Sequence, residues 1–492
     1  MSEETHTPPS TEMVMPEVPA NLSSGIGGMF RYMGPGLIMA SASIGSGEIF
    51  FSTRGGAVFG YVLLWTFLGS VILKGVTVFS GTRYITLTGE SPFARFGQIL
   101  PGPKNWFPVL LGIFATVSFP SWAGGFANFL GQWSVWVFGV GEGNPNAPKL
   151  WSTFWLMLVF ITLFLTNYDK VEMFQTGVVV IMVVFVLVAV VVAQPNWGDV
   201  FKGLVPTIPS EYAPWVVENY PDVAARPIPL EIIVYLGALG GGTYDYIGYV
   251  GMYNEKKWGM LGNPNLEQIR EKLLTLNKGE RAPLIETEEN IKNTRQWIKA
   301  PVIDALISYS AVFIFSAAFM ILGNVILGGD ALQLIPNDNE IMQHQATFFT
   351  MISPALLYFY QLAVWAAFFG SMQASGTMMY AHTFHECFSP AIRWVKETNF
   401  WNLRLLVAII YCFGGLILVW TGLSFTTLVS FGSLIGGVLS IGLWGLAMLY
   451  TDIKFIPKQF QMGTLGKVIL GLAGTIMTLM GTVALLQFFH II

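Results

Sequence analysis

The chain has 492 residues, of which 53% are hydrophobic and 11% charged, with a net charge of −4 and a mean hydropathy of +0.58. Soluble domains carry about 25% charged residues, so water is not the solvent of most of this surface, and without a basic stripe a nucleic-acid partner is excluded. The two cysteines, Cys387 and Cys412, share no ligand spacing and leave no room for a disulfide framework.

In chain order, residues 1–30 come first. They are rich in Pro, Ser, Thr and Glu and hold no Lys or Arg, which reads as a disordered cytoplasmic tail and not a signal peptide. Apolar runs of about 20 residues then mark eleven transmembrane helices, at 34–53, 58–82, 107–139, 150–167, 173–193, 229–252, 301–326, 347–381, 404–421, 424–449 and 466–489. The third and eighth are long enough to tilt or protrude. Between spans six and seven lies the one sizeable polar stretch, 254–300, with a short helix expected from Asn265 to Leu276 and a second over Glu286–Lys299. A solvated cytoplasmic connector is its simplest role.

Of the 25 Lys and Arg residues, 20 fall on the side of the N-terminus and four (Arg54, Lys149, Lys202, Arg226) on the other, with Lys74 inside span two. That bias puts the N-terminus in the cytoplasm, and an odd number of spans puts the C-terminus outside. The expected protein is an all-α, multi-pass integral membrane protein of the plasma (inner) membrane, bathed in lipid. Its core would cover residues 31–450, followed by an eleventh helix within 451–492. Nothing in the sequence demands an oligomer, so a monomer suffices.

Spans one and six stand apart. The first holds Gly34-Pro35-Gly36 near its start and Gly45-Ser46-Gly47-Glu48 near its middle. The sixth holds Gly237, then Gly240-Gly241-Gly242-Thr243-Tyr244-Asp245. Glycine costs about 1 kcal/mol in a helix interior, so both runs favour local unwinding, which is tolerated at this depth only against protein or a watery cavity. Paired interruptions in two halves point to a transporter's binding site, as inverted repeats over about 31–195 and 229–450 would produce. For glycine alone, close helix packing is the better reading. The carboxylates tip the reading towards a cation site, because an Asp at the bilayer centre costs about 2.5–3.5 kcal/mol and needs a partner or a purpose. An internal ion pair with Lys74 is the competing use, and Lys74 is also able to snorkel to the cytoplasmic face.

The residues Gly34-Pro-Gly-Leu37, followed by Arg54-Gly-Gly-Ala-Val-Phe-Gly-Tyr-Val-Leu-Leu-Trp65, resemble the NRAMP (natural resistance-associated macrophage protein) family of divalent metal transporters. Asp304-Ala-Leu-Ile with Ala317-Ala318, and Gly370-Ser-Met-Gln-Ala-Ser-Gly-Thr377 with Tyr380-Ala381, are similar to the family's spans seven and eight. The resemblance covers about residues 30–450. It implies the amino acid–polyamine–organocation (LeuT-like) fold, two inverted five-helix repeats plus one further span, with helices one and six broken. The departures fall at the centre. On the family's Asp-Pro-Gly-Asn motif this chain carries Gly45-Ser46-Gly47-Glu48, and near Met-Pro-His it carries Tyr244-Asp245-Tyr246. Span three holds no Asp or Glu and span six no His, whereas in the family those groups form the proton route.

The resulting candidate metal site is Glu48 and Asp245, with carbonyls of Gly45, Gly242 or Thr243 and the amide oxygen of Gln373. An all-oxygen set suits hard cations such as Mg²⁺ or Mn²⁺, carried as substrate, with no cofactor and no enzymatic chemistry expected. A carrier of amino acids or other organic solutes on the same fold, Na⁺-coupled through one carboxylate, is the alternative, and a membrane sensor or interaction protein using 254–300 is a third. His382, His385 and Glu386 share one face of span eight but read best as a hydrated helix end. Asp330, Asp338 and Glu340 lie in an outer loop where acids either solvate the chain or gather cations.

Overall fold

The computed structural model describes residues 12–23, 36, 46–165, 168–329, 331–335 and 340–491. Among them all regular elements are helical, and a lone bridge pairs Met13 with Leu284. Six helices are long and apolar enough to cross a membrane, spanning Leu64–Thr88, Trp106–Phe138, Glu288–Leu327, Phe400–Thr421, Phe425–Lys454 and Thr464–Phe488. Span four, Ala147–Thr162, is a shorter apolar helix, and span five runs over Tyr168–Ala193. Spans six and eight are interrupted. The chain is thus a multi-pass integral membrane protein, and the described residues of its apolar segments are helical apart from the breaks and turns between them.

Two boundaries differ from the sequence expectation for identifiable reasons. The first span does not end at residue 53: a helix over Ser52–Phe59 continues it, and Gly60, at φ 62°, makes the turn before Leu64 opens span two. A hydropathy window does not register a single left-handed glycine. Arg54, expected in an outer loop, is therefore buried within span one. The eighth segment is not one long helix either. Ile341–Thr350 is a separate helix, and the span proper runs from Leu356 to Phe388, the interruption falling at Ser353-Pro354, where proline forfeits a helical N–H.

The spans meet through small residues, as expected where lipid offers no hydrophobic drive. A Cβ on Gly56 would stand 2.0 Å from the Met320 carbonyl oxygen, and one on Gly323 2.4 Å from that of Thr53, so spans one and seven touch backbone to backbone. Span ten contains a π-helical stretch, Ser433–Leu439, which lies on the first half of span six. There a Cβ on Gly437 would meet the Gly237 carbonyl oxygen at 2.0 Å. Gly437→Ala is expected to cost about 1–3 kcal/mol by overpacking, read as a lowered unfolding temperature of the purified protein. An unchanged temperature would contradict that packing. At the loop-bearing end, a buried Arg83–Asp452 pair at 2.8 Å joins spans two and ten.

The 254–300 stretch forms the two expected helices, Leu266–Thr275 and Glu288–Trp297, the second capped by Thr287 Oγ1 accepting from the Asn290 N–H. The tail needs correcting. Residues 1–11 and 24–35 lie outside the described residues, but 12–23 are not loose. Met13 and Leu22 are buried, the Met15 N–H donates to Asn290 Oδ1 at 2.8 Å, and Trp297 Nε1 donates to the Pro16 carbonyl at 2.9 Å. A polar composition concealed three apolar side chains that seat this segment on the connector.

Candidate metal site at the paired helix breaks

Span six unwinds where its glycines are. A helix runs from Ile228 to Ala238, Leu239 turns extended, Gly240 and Gly241 take φ of 75° and 83°, and a second helix starts at Thr243. Two successive left-handed residues are cheap only for glycine. The broken strip then sorts its polar groups. The N–H groups of Gly240 and Gly242 donate to carboxylates: Gly240 to Glu48 Oε1 at 2.6 Å and Gly242 to Asp245 Oδ2 at 2.9 Å. The carbonyls point elsewhere. Lys74 Nζ donates to Gly237, Leu239 and Gly241 at 2.8, 2.5 and 3.0 Å, while the Tyr246 hydroxyl donates to the Gly240 carbonyl at 2.5 Å.

Glu48 lies in a π-helical turn, Ser46–Phe51, and is fully buried; Asp245 is 9% exposed. The two spans approach this closely because position 47 is glycine, where a Cβ would stand 2.2 Å from the Ala238 carbonyl oxygen. Glu48 and Asp245 are near enough to act on each other and on Lys74 electrostatically. The two carboxylates expected from sequence are thus brought together, each aimed by one backbone N–H of the same strip.

The remaining ligands fare differently. Gly45 lies outside the described residues. The Gly242 carbonyl is not turned to a cation: it accepts the N–H groups of Asp245 and Tyr246 as the second helix begins. Thr243 spends its hydroxyl on the Gly436 carbonyl of span ten, at 2.8 Å. For Gly242 the reason is that a carbonyl at a helix start is taken up by the helix itself. Gln373 is buried in span eight, about two turns before Tyr380, and it is Tyr380 that approaches Asp245. The carbonyls that do face inward from the break are those of Gly237, Leu239 and Gly241, and Lys74 holds them. Lys74 neither snorkels nor bonds primarily to a carboxylate, which sequence alone did not reveal, although a lysine in mid-span was the signal.

Aromatic rings close one side. Phe119 stacks on Tyr380 at 4.3 Å, and Tyr244 stands edge-on to Tyr380 at 5.5 Å and to Trp122 at 5.8 Å. A second carboxylate cluster sits towards the connector. Asp304 of span seven accepts the Gly36 N–H at 3.1 and 3.0 Å, the Tyr249 hydroxyl at 2.6 Å and the Tyr253 hydroxyl at 3.0 Å. It gathers spans one, six and seven at one point.

No trio of His, Cys, Asp or Glu converges among the described residues. His382 packs on Phe400 at 4.4 Å, and His385 Nδ1 is 3.9 Å from Glu386 Oε1, a half-buried helix end and no metal cluster. Of the outer acids, Asp330 and Asp338 lie outside the described residues.

A sequence profile described as natural resistance-associated macrophage protein-like (Nramp) matches residues 36–487. The chain is 27% identical over 186 residues to a divalent metal cation transporter MntH of Latilactobacillus sakei, covering 36% of this chain and 38% of the relative. It is 21% identical over 296 residues to the protein of that name from Caldanaerobacter subterraneus, covering 59% and 57%. It therefore spans less than three fifths of these curated relatives. In structure it resembles a mutant of the Eremococcus coleocola manganese transporter, with a TM-score of 0.66 at 14% identity, over 97% of this chain and 90% of the other. At that identity the likeness is one of fold.

Proposed function

The chain belongs to the natural resistance-associated macrophage protein-like family, and from that premise we propose that it carries divalent metal cations across a membrane, with Glu48 and Asp245 as the cation's anchors. The observation that supports this most is the pair itself: two buried carboxylates, one on span one and one beside the break of span six, each oriented by an N–H of one glycine strip. Acids at this depth are costly and mark ion pathways. Two carboxylates outweigh the one ammonium beside them, so the site keeps a net negative charge and attracts cations.

The chemistry of the set favours hard ions, Mg²⁺ or Mn²⁺. Carboxylate and hydroxyl oxygens surround the strip, and no thioether stands where the family's methionine is expected. Without acids in span three or a histidine in span six, the family's proton route has no carriers here, and transport runs without it. The basic connector sets the N-terminus in the cytoplasm, in the plasma membrane. The test is uptake into liposomes by the purified protein. Mn²⁺ or Mg²⁺ is expected to enter faster than Cd²⁺, without acidifying the lumen. If neither hard ion moves, the proposal fails.

The aromatic wall around Asp245 favours one other reading. Rings flanking a carboxylate suit an organic ammonium group, as in a carrier of amino acids or other organic solutes. Thermal stabilisation of the protein by amino acids, with none by Mn²⁺, would select it.

A further inference from the structure

Lys74 is the least expected occupant of the break. Its side chain is fully buried, and its three N–H donors are matched by three carbonyls, those of Gly237, Leu239 and Gly241. Two of these oxygens belong to the unwound strip and the third to the last turn of the helix before it, whose C-terminal dipole end carries negative potential. Unwound carbonyls and half-helix C-termini are what transporters of this architecture use to hold monovalent cations. One turn earlier on span two, Ser70 Oγ donates to the Leu236 carbonyl at 2.8 Å, so the lysine approaches from a fixed direction. A buried ammonium is retained only where charge and hydrogen bonds compensate it, and here both carboxylates act on it as well.

We propose that Lys74 is a specificity-determining residue: its tethered ammonium fills a monovalent-cation cradle at the span-six break, so the carrier needs no Na⁺ or K⁺ and its site keeps one net negative charge for the substrate. The transport half of this statement rests on the carrier reading above; the cradle half does not.

Lys74→Met keeps the length of the side chain and removes the charge, leaving three carbonyls without a cation. In detergent at constant ionic strength, the unfolding temperature of the wild-type chain is expected to be the same in choline, Na⁺ and K⁺ chlorides. That of Lys74→Met is expected to be lower in choline and to rise saturably by several degrees with Na⁺, K⁺ or methylammonium. In liposomes, Mn²⁺ uptake by Lys74→Met is expected to fall about tenfold in choline and to recover with the same cation that restores the unfolding temperature. Lys74→Gln, which supplies an amide donor, is expected to follow the same pattern more weakly and serves if the methionine variant does not fold. Variants that ignore the monovalent cation in both measurements would overturn the proposal, as would a wild type that itself requires Na⁺ or K⁺. A wild type that moves neither Mn²⁺ nor Mg²⁺ would sink the carrier reading alone, since the thermal measurement still reports the cradle.

Discussion

Glu48→Gln is expected to lower metal uptake about a hundredfold while leaving the fold intact. The amide has the shape of the carboxyl, and its oxygen still accepts the Gly240 N–H now bound by Glu48 Oε1, so the helix break keeps its partner. What disappears is one formal charge. Glu48, Asp245 and Lys74 then sum to zero instead of −1, and a divalent cation loses its strongest remaining attraction. At an effective dielectric of about 20, charges a few ångströms apart interact by about 4 kcal/mol. Losing roughly 3 kcal/mol of that, after the metal's desolvation is counted, corresponds to the hundredfold change. Asp245→Asn is expected to behave alike, because Gly242 still finds an acceptor at the helix start. Both are measured as initial Mn²⁺ uptake against protein of unchanged unfolding temperature. Uptake that survives both substitutions would mean the cation travels elsewhere.

Asp304→Ala is expected to act on stability first. Its carboxylate is the shared acceptor of the Gly36 N–H and of the Tyr249 and Tyr253 hydroxyls, all buried with it. Truncation strands three donors, each at about 1–3 kcal/mol, so a loss of roughly 3 kcal/mol or more follows. The three donors come from spans one and six, while Asp304 belongs to span seven. Freed from it, the ends of spans one and six nearest the connector lose their common tie. The expected signature is a marked fall in unfolding temperature, with uptake lost in the fraction that remains folded. Asp304→Asn, which keeps one acceptor oxygen, is expected to fall between wild type and alanine. An alanine variant as stable as wild type would contradict the clustered geometry.

How far these features were legible in the sequence depends on what kind of signal each leaves. Hydropathy and charge bias recover the spans because bilayer thickness is a strong constraint on length. They misplace the join of spans one and two, since Gly60 turns the chain inside an uninterrupted apolar run. The break in span six was legible because three adjacent glycines followed by an aspartate have few other uses in a helix. The partners of the break were not. Gly237, Leu239 and Gly241 offer their carbonyls to Lys74, which is more than 160 residues away in sequence, and backbone acceptors leave no trace in residue type. The glycine run suggested the Gly242 carbonyl for the metal, whereas helix initiation claims that oxygen. Asp304 was visible only as part of a resemblance, because its role depends on tyrosines a full helix away. The tail shows the reverse case: Met13, Met15 and Leu22 are too sparse to register as a pattern, yet each is buried against the connector.

The most direct measurement is a structure of the protein soaked in Mn²⁺, with anomalous scattering used to locate the ion. A manganese peak between Glu48 and Asp245, absent from the Glu48→Gln protein prepared alike, is the expected result. A map with no peak there, or with manganese bound only at other positions, would contradict the assignment of these two carboxylates to the transported cation.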